Sequence, residues 1–165
     1  MQLNELCVLD AACCQKGISV AEAARLMRQH HTGDLIVTDD SEGTREPVGI
    51  ITDRDIVMQV IARGRDPDRT QVGQIMAVPL VVASGSENIA TAIERMRSHG
   101  VRRLPIVDDN DAVMGIVTLD DLYRVLADHT AALAAIVSKE QTRENRSRRW
   151  LVAPHFPPHR SGVVS

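Results

Sequence analysis

The chain has 165 residues, of which 44% are apolar, 25% charged and 2% aromatic, with a formal net charge of −3; this composition can bury a core in one domain or two small ones and excludes wholesale disorder. Tyr123, Trp150 and Phe156 are the only aromatic residues, which disfavours base-stacking nucleic-acid platforms and aromatic-lined sugar sites. No apolar run nears the ~20 residues of a membrane-spanning helix, the start lacks a basic-then-apolar leader pattern, and three cysteines without a CxxC suit reduced thiols on a buried strand, so a cytoplasmic protein is expected.

Leu3 to Leu6 reads as a short lead-in to a strand at Ala12 to Cys14. Ser19 with Glu22 has the spacing of a capping box, and Val20, Ala24 and Met27 share a face, which predicts a helix from Val20 to His30. Leu35-Ile36-Val37 and Val48 to Ile51 read as a buried hairpin around a turn-rich loop. A second helix, Asp53 to Arg63, carries Ile56, Val60 and Ile61 and stops at Gly64, a residue suited to a left-handed cap. Arg65 to Gln71 is a linker. Val72 to Met76 is a second lead-in, followed by a strand at Leu80 to Val82 and a helix bearing Ile89, Ala92, Ile93 and Met96. Leu104 to Val107 and Val113 to Val117 form another hairpin. Leu122, Val125, Leu126, His129, Leu133 and Ile136 keep near one face of a helix expected from Asp120 to Val137.

This order repeats because the sequence does. Val20 to Asp40 matches Ile89 to Asp109 at a spacing of 69 with eight identities in 21 positions, and Val48 to Ile56 matches Met114 to Leu122 at a spacing of 66 with four in nine. The first copy therefore has three extra residues around Ser41 to Pro47. A unit of that size is marginal alone, so the copies are expected to pack on each other through their sheets. The implied organisation is repeat one with its lead-in at 1–64, a linker at 65–71, repeat two at 72–138 and a tail at 139–165. Residues 1–138 carry a net −7 and the Pro-containing tail a net +4, which makes the tail a separate electrostatic object, expected to continue the helix and then become flexible.

Gly49-Ile50-Ile51-Thr52-Asp53-Arg54-Asp55 answers Gly115-Ile116-Val117-Thr118-Leu119-Asp120-Asp121 at a strand–helix junction. Such a junction offers an anion free amides and the positive end of a helix, while Thr can bind phosphate and Asp can accept from a sugar diol. Helix capping explains the same residues equally simply, because Thr52 and Thr118 are natural N-caps and Asp55 and Asp121 favourable first-turn acids.

The pattern GhxThxxD, with h apolar, in a repeated βαββα unit resembles the CBS domain, named for cystathionine beta-synthase. Two copies in tandem resemble a Bateman module of the small stand-alone bacterial type, over about residues 1–138. Leu104-Pro105-Ile106-Val107-Asp108 and Thr52-Asp53-Arg54-Asp55 are also family-like. The resemblance implies an α/β (α+β) fold of two repeats packed pseudo-symmetrically, and a non-catalytic regulatory module binding AMP, ADP, ATP, S-adenosylmethionine or NAD in two clefts between the repeats. No cofactor is required on this reading; the adenine nucleotide is a regulatory ligand. Asp55 and Asp121 would hold ribose, and Thr52 and Thr118 ribose or phosphate. His31-Thr32-Gly33 and Val101-Arg102-Arg103 would edge the adenine slots, and Arg54, Arg102 and Arg103 could neutralise phosphates or be merely solvated. Copy one departs from the pattern, with Ile36 where the family places proline and Gly33-Asp34 where copy two has two arginines. The clefts should therefore differ, with Asp34 disfavouring phosphate at one mouth.

Other signals are weaker. His30, His31 and His99 with Cys13 and Cys14 lack metal-ligand spacing, and the histidines at helix ends suit the C-terminal dipole. His155 and His159 could bind a metal adventitiously. Arg143, Arg146, Arg148, Arg149 and Trp150 invite a nucleic-acid or acidic-partner reading, against which stands a solvated tail or one wrapped on a dimer mate. Nucleotide-hydrolysing, dinucleotide, metalloprotease and serine-hydrolase motifs are absent from the sequence, and Asp39-Asp40 and Asp108-Asp109 fall where turns favour Asp, so no enzyme is expected. The family resemblance implies a homodimer through the helices and a protein target regulated in trans. The alternative is a structural interaction module with no physiological nucleotide, its tail recruiting a partner.

Overall fold

The structure is a computed structural model that describes residues 1–9, 11–39 and 45–149. Its elements are β1 (Val8–Leu9), β2 (Cys13–Gln15), α1 (Val20–His30), β3 (Asp34–Asp39), β4 (Glu46–Thr52), α2 (Asp53–Ile56, extended by a wider π turn over Val57–Ile61), β5 (Ala83–Ser84), α3 (Ile89–His99), β6 (Arg103–Val107), β7 (Val113–Thr118) and α4 (Leu119–Arg149). Short 3-10 turns at Leu3–Glu5 and Val72–Gln74 form the two lead-ins. Residues 1–122 make one compact unit holding both repeats, and the described residues from Tyr123 to Arg149 fall in a second.

The duplication is kept in strand pairing and helix capping. One sheet has the order β2-β3-β4 and the other β1-β7-β6-β5. Cys14 pairs with Val37 and Ala83 with Ile106, both in parallel, and each hairpin carries an irregularity at the same place, Val37/Thr38 and Ile106/Val107. Ser19 Oγ accepts from Glu22 N at 3.2 Å and Asn88 Oδ1 from Thr91 N at 3.0 Å, so each first helix opens on a side-chain cap. Each of these helices ends on a left-handed residue, His31 (φ 52°) in one copy and Gly100 (φ 66°) in the other.

The lead-ins are exchanged. Leu3 and Cys7 lie in the core of the second repeat with Ala83, Ala92, Met96, Leu104, Val117 and Leu122. Val72, with Ile75 and Met76 packed against it, lies in the core of the first, among Val20, Ala23, Leu35, Val37, Ile51 and Val60. Equivalent backbone bonds fasten both: Leu3 N donates to Glu87 O at 2.9 Å and Val72 N to Ile18 O at 3.0 Å, while Asn4 N donates to Gly85 O at 2.9 Å and Gly73 N to Lys16 O at 2.8 Å. Leu3 to Leu6 is thus the lead-in of the second repeat's sheet, not an approach to its own.

Several expected elements shift. The strand anticipated at Ala12 to Cys14 is Cys13–Gln15, and the one at Leu80 to Val82 is Ala83–Ser84. In copy one Ile36 N donates to Ala12 O at 3.0 Å; the equivalent donor in copy two would be residue 105, a proline with no N–H, so Val81 is left out of the ladder. Ala23 takes the buried position expected of Ala24, and Ile61 and Ile93 are exposed rather than in the core. The second helix ends at Ile61 and not Arg63, with Gly64 left-handed as anticipated (φ 62°). The last helix runs Leu119–Arg149, past Val137, because no Gly or Pro interrupts a run of strong helix formers. Leu126, Leu133, Ile136 and Val137 on it are exposed. Trp150 and the rest of the tail, including His155 and His159, lie outside the described residues, as does the first part, 41–44, of the insertion expected around Ser41 to Pro47.

None of the three cysteines is in a disulfide. Burial, with smaller contributions from Cys13 and Glu22, pushes the Cys14 thiol up to about 12. A raised thiol pKa means the folded state favours the neutral form, so this contribution is intact below the unfolded value and fades as pH climbs toward 12. At pH 8, iodoacetamide should label Cys14 in the native protein at least about a hundredfold more slowly than in urea, read by peptide mass spectrometry; equal rates would show an open site. Truncating Leu3 to Ala should lower the stability of the whole 1–122 unit by ~2–5 kcal/mol in urea denaturation, a core-sized loss from a residue near the chain start.

Candidate functional site

Thr52 ends β4 and begins α2, and its extended backbone (φ −117°, ψ 161°) makes it the N-cap. Asp55 N donates to its Oγ1 at 3.2 Å, and the Asp55 carboxylate accepts from Thr52 N at 2.9 Å and Oγ1 at 2.7 Å. In the second repeat Asp121 N reaches Thr118 Oγ1 at 3.3 Å, and Asp121 Oδ2 accepts from Thr118 N at 2.9 Å and Oγ1 at 2.6 Å. Both motif pairs are therefore reciprocal capping boxes, and one carboxylate oxygen of each Asp is committed to the helix start. Asp121 is buried and Asp55 half-buried.

The motif glycine has a separate task. A Cβ on Gly49 would meet the Met76 sulfur at 2.6 Å and the Ala77 carbonyl at 3.4 Å, because the second lead-in crosses β4 there and Ala77 N donates to Ile50 O at 2.8 Å. Glycine at this position lets the exchanged segment approach.

Two clefts open beside the capped threonines, and each draws on both repeats. The first, about 250 Å³, sets Thr52 and Ile50 of copy one against Pro79, Leu80, Val81 and Val101 of copy two. The second, about 310 Å³, sets Thr118, Leu119 and Asp120 of copy two against His31, Thr32, Gly33 and Asp34 of copy one. The first has apolar walls and the second polar ones. Arg102 and Arg103 line both. The second matches the lower end of small-ligand pockets, roughly 300 Å³, and the first is slightly smaller.

The candidates thus divide. Thr52, Val101, Arg102 and Arg103 meet in the apolar cleft, and Thr118, Thr32, Gly33, Arg102 and Arg103 in the polar one. Asp55 and Asp121 belong to neither lining; each sits one turn into its helix, bonded to the threonine that does. Arg54 is exposed on α2, also outside both linings. The walls formed by Ile50, Pro79, Leu80 and Val81 escaped the sequence analysis, which read Leu80 to Val82 as a strand; Pro105 facing that segment was the available signal. Among the described residues no group of three or more His, Cys, Asp or Glu side chains comes together as a metal site, and the histidines and cysteines considered for zinc do not converge. His99 Nδ1 instead lies 2.9 Å from Arg95 O on its own helix.

At the boundary between the clefts Asp34 and Arg103 form an ion pair, the arginine Nε facing Asp34 Oδ2, with the Asp34 side chain 13% exposed. Thr32 Oγ1 donates to the other carboxylate oxygen at 3.1 Å.

Comparison with known proteins agrees with this architecture. The CBS domain family model matches residues 4–62 and 72–128. An uncharacterized protein of Methanopyrus kandleri is 37% identical over 107 residues, spanning 65% of this chain and about half (53%) of that protein. The CBS domain-containing protein YhcV of Bacillus subtilis is 41% identical over 104 residues, 63% of this chain and 70% of that one. Among solved structures, the CBS domain pair of protein MJ0100 in complex with 5′-methylthioadenosine and S-adenosyl-L-methionine superposes with a TM-score of 0.69 at 26% identity, covering 78% of this chain and 98% of that one.

Removing the shared carboxylate tests what the motif does for folding. Asp55→Ala should cost ~1 kcal/mol in urea denaturation, the value of a cap, and Asp121→Ala, whose group is buried, somewhat more. A loss above ~4 kcal/mol for either would mean the side chain holds more than its helix start.

Proposed function

This chain belongs to the CBS domain family, and from that premise we propose that it is a non-catalytic regulatory module binding an adenosine-containing ligand between its repeats. The observation that carries the reading is the apolar cleft. Ile50, Pro79, Leu80, Val81 and Val101 offer two-sided apolar contact of the kind a purine ring needs, Thr52 stands at the rim, and Arg102 and Arg103 supply positive charge for a phosphate. A ligand that bridges residues of both repeats binds one relative placement of them better than another, and that difference is what signalling requires.

AMP, ADP, ATP, S-adenosylmethionine and NAD are the ligands to consider, and the complex of the MJ0100 domain pair with two adenosine compounds supports that class. Asp55 and Asp121 are engaged in their capping boxes, so ribose recognition falls first to the threonines. Val57, Met58 and Ile61 on the α2 face and Ile93 on α3 are exposed apolar residues that suit a homodimer through helices. The regulated target, a protein acted on in trans, and a cytoplasmic setting complete the reading. No helix among the described residues is long and apolar enough to cross a membrane.

One observation favours a second reading. Both motif pairs are satisfied as capping boxes, which a structural interaction module without a nucleotide would also need. Isothermal titration with AMP, ATP, S-adenosylmethionine and NAD separates the two. Micromolar binding of at least one ligand, lost in Leu80→Trp, which fills the apolar cleft, is the expected result. Silence across the panel would leave the interaction module standing.

A further inference from the structure

Asp34 and Arg103 occupy the same position of the repeat, 69 residues apart. Their contact therefore lies where the pseudo-two-fold relation brings a residue against its own counterpart. Two arginines meeting there would repel, as would two aspartates; one of each attracts. Copy one supplies the acid, and Thr32 Oγ1 holds its second oxygen at 3.1 Å.

The pair divides charge between the clefts unequally. Arg103 lines both, whereas Asp34 lines only the polar one. In the polar cleft Asp34 and Asp120 stand against Arg102 and Arg103. In the apolar cleft the same two arginines stand with no acidic side chain among the described residues of the lining. A phosphate entering the polar cleft meets a carboxylate already facing Arg103 Nε, with Asp120 as a second acid in the same lining. In the apolar cleft it faces neither.

We infer that Asp34 is a specificity-determining residue, which by holding Arg103 excludes phosphate from the polar cleft, reserves that cleft for adenosine ligands with an uncharged or cationic 5′ substituent, and directs phosphorylated ones to the apolar cleft. The inference rests on the adenosine reading above and assigns a ligand class to each of its two sites. Rejection here works by unpaired and like charge, not by size.

The test is calorimetric titration of the full chain, as wild type, Asp34→Asn and Asp34→Ser, with AMP and with 5′-methylthioadenosine, which lacks the phosphate. The wild type should take AMP at one site per chain. Both variants should gain a second AMP site or about a tenfold tighter AMP affinity, with the methylthioadenosine affinity held within about threefold, which also serves as the control for folding. Unchanged AMP stoichiometry and affinity ratio, with both ligands binding, would reduce Asp34 to a structural tie between repeats. A gain confined to Asp34→Asn would also overturn the assignment, since both changes remove the charge. Failure of both ligands to bind any of the three proteins would overturn the adenosine reading, and this inference with it.

Discussion

The exchange of lead-ins is the constraint on which the 1–122 unit depends. Each repeat's own three strands bury one face with its own helix, and a layer of this size leaves too little interior to be stable alone. Leu3, fully buried, completes the second repeat although it precedes the first, and Val72, equally buried, completes the first although it precedes the second. Neither repeat has a finished core without a segment that the chain delivers from outside it. The consequence is thermodynamic: the repeats fold as one cooperative unit, and a perturbation of either lead-in is felt in the opposite sheet.

The same constraint shapes the ligand motif. Gly49 is small because Met76 and Ala77 of the exchanged segment lie against it, and Ala77 N takes up the Ile50 carbonyl. That crossing brings Pro79, Leu80 and Val81 over Thr52, which is what closes the apolar cleft. Three residues of one motif thus answer to different demands: glycine to chain crossing, threonine to capping and to the cleft rim, aspartate to the cap. A sequence motif of this kind is a record of packing as much as of binding, and its residues have to be sorted by contacts before any is given a chemical role.

Much of this was legible in the sequence because duplication turns single weak signals into matched pairs. Ser19 as a cap, both first helices, both hairpins and the two Thr–Asp pairs were readable, and the structure places them so, with Asn88 as the second copy's cap. What escaped was set by tertiary partners. Helical spacing alone could not tell Ala23 from Ala24, because both lie near the same stripe and only the sheet beneath selects one. The unstranded Leu80 to Val82 depends on Pro105, twenty-odd residues away, having no N–H to offer. Exchange of the lead-ins was invisible for a plainer reason: two similar amphipathic segments before two similar repeats carry no local mark of which core they enter. The candidate site was read at the level of residue type, and the crossing of Thr52 with Val101 and of Thr118 with Thr32 came only from the fold.

Near-symmetry explains why the two clefts cannot be independent. An internal duplication starts with two equal sites related by an axis, and any side chain on that axis belongs to both. Arg103 is such a residue, and its neighbour Arg102 also lines both clefts. A guanidinium turned toward an anion in one cleft is less available to the other, so on the adenosine reading a ligand in one site would alter the charge seen by its neighbour without movement of the backbone. With Asp34 as the third claimant, the resting preference is set before any ligand arrives. A difference at one position of the repeated unit, aspartate in one copy and arginine in the other, is enough to make two symmetry-related clefts unequal in charge.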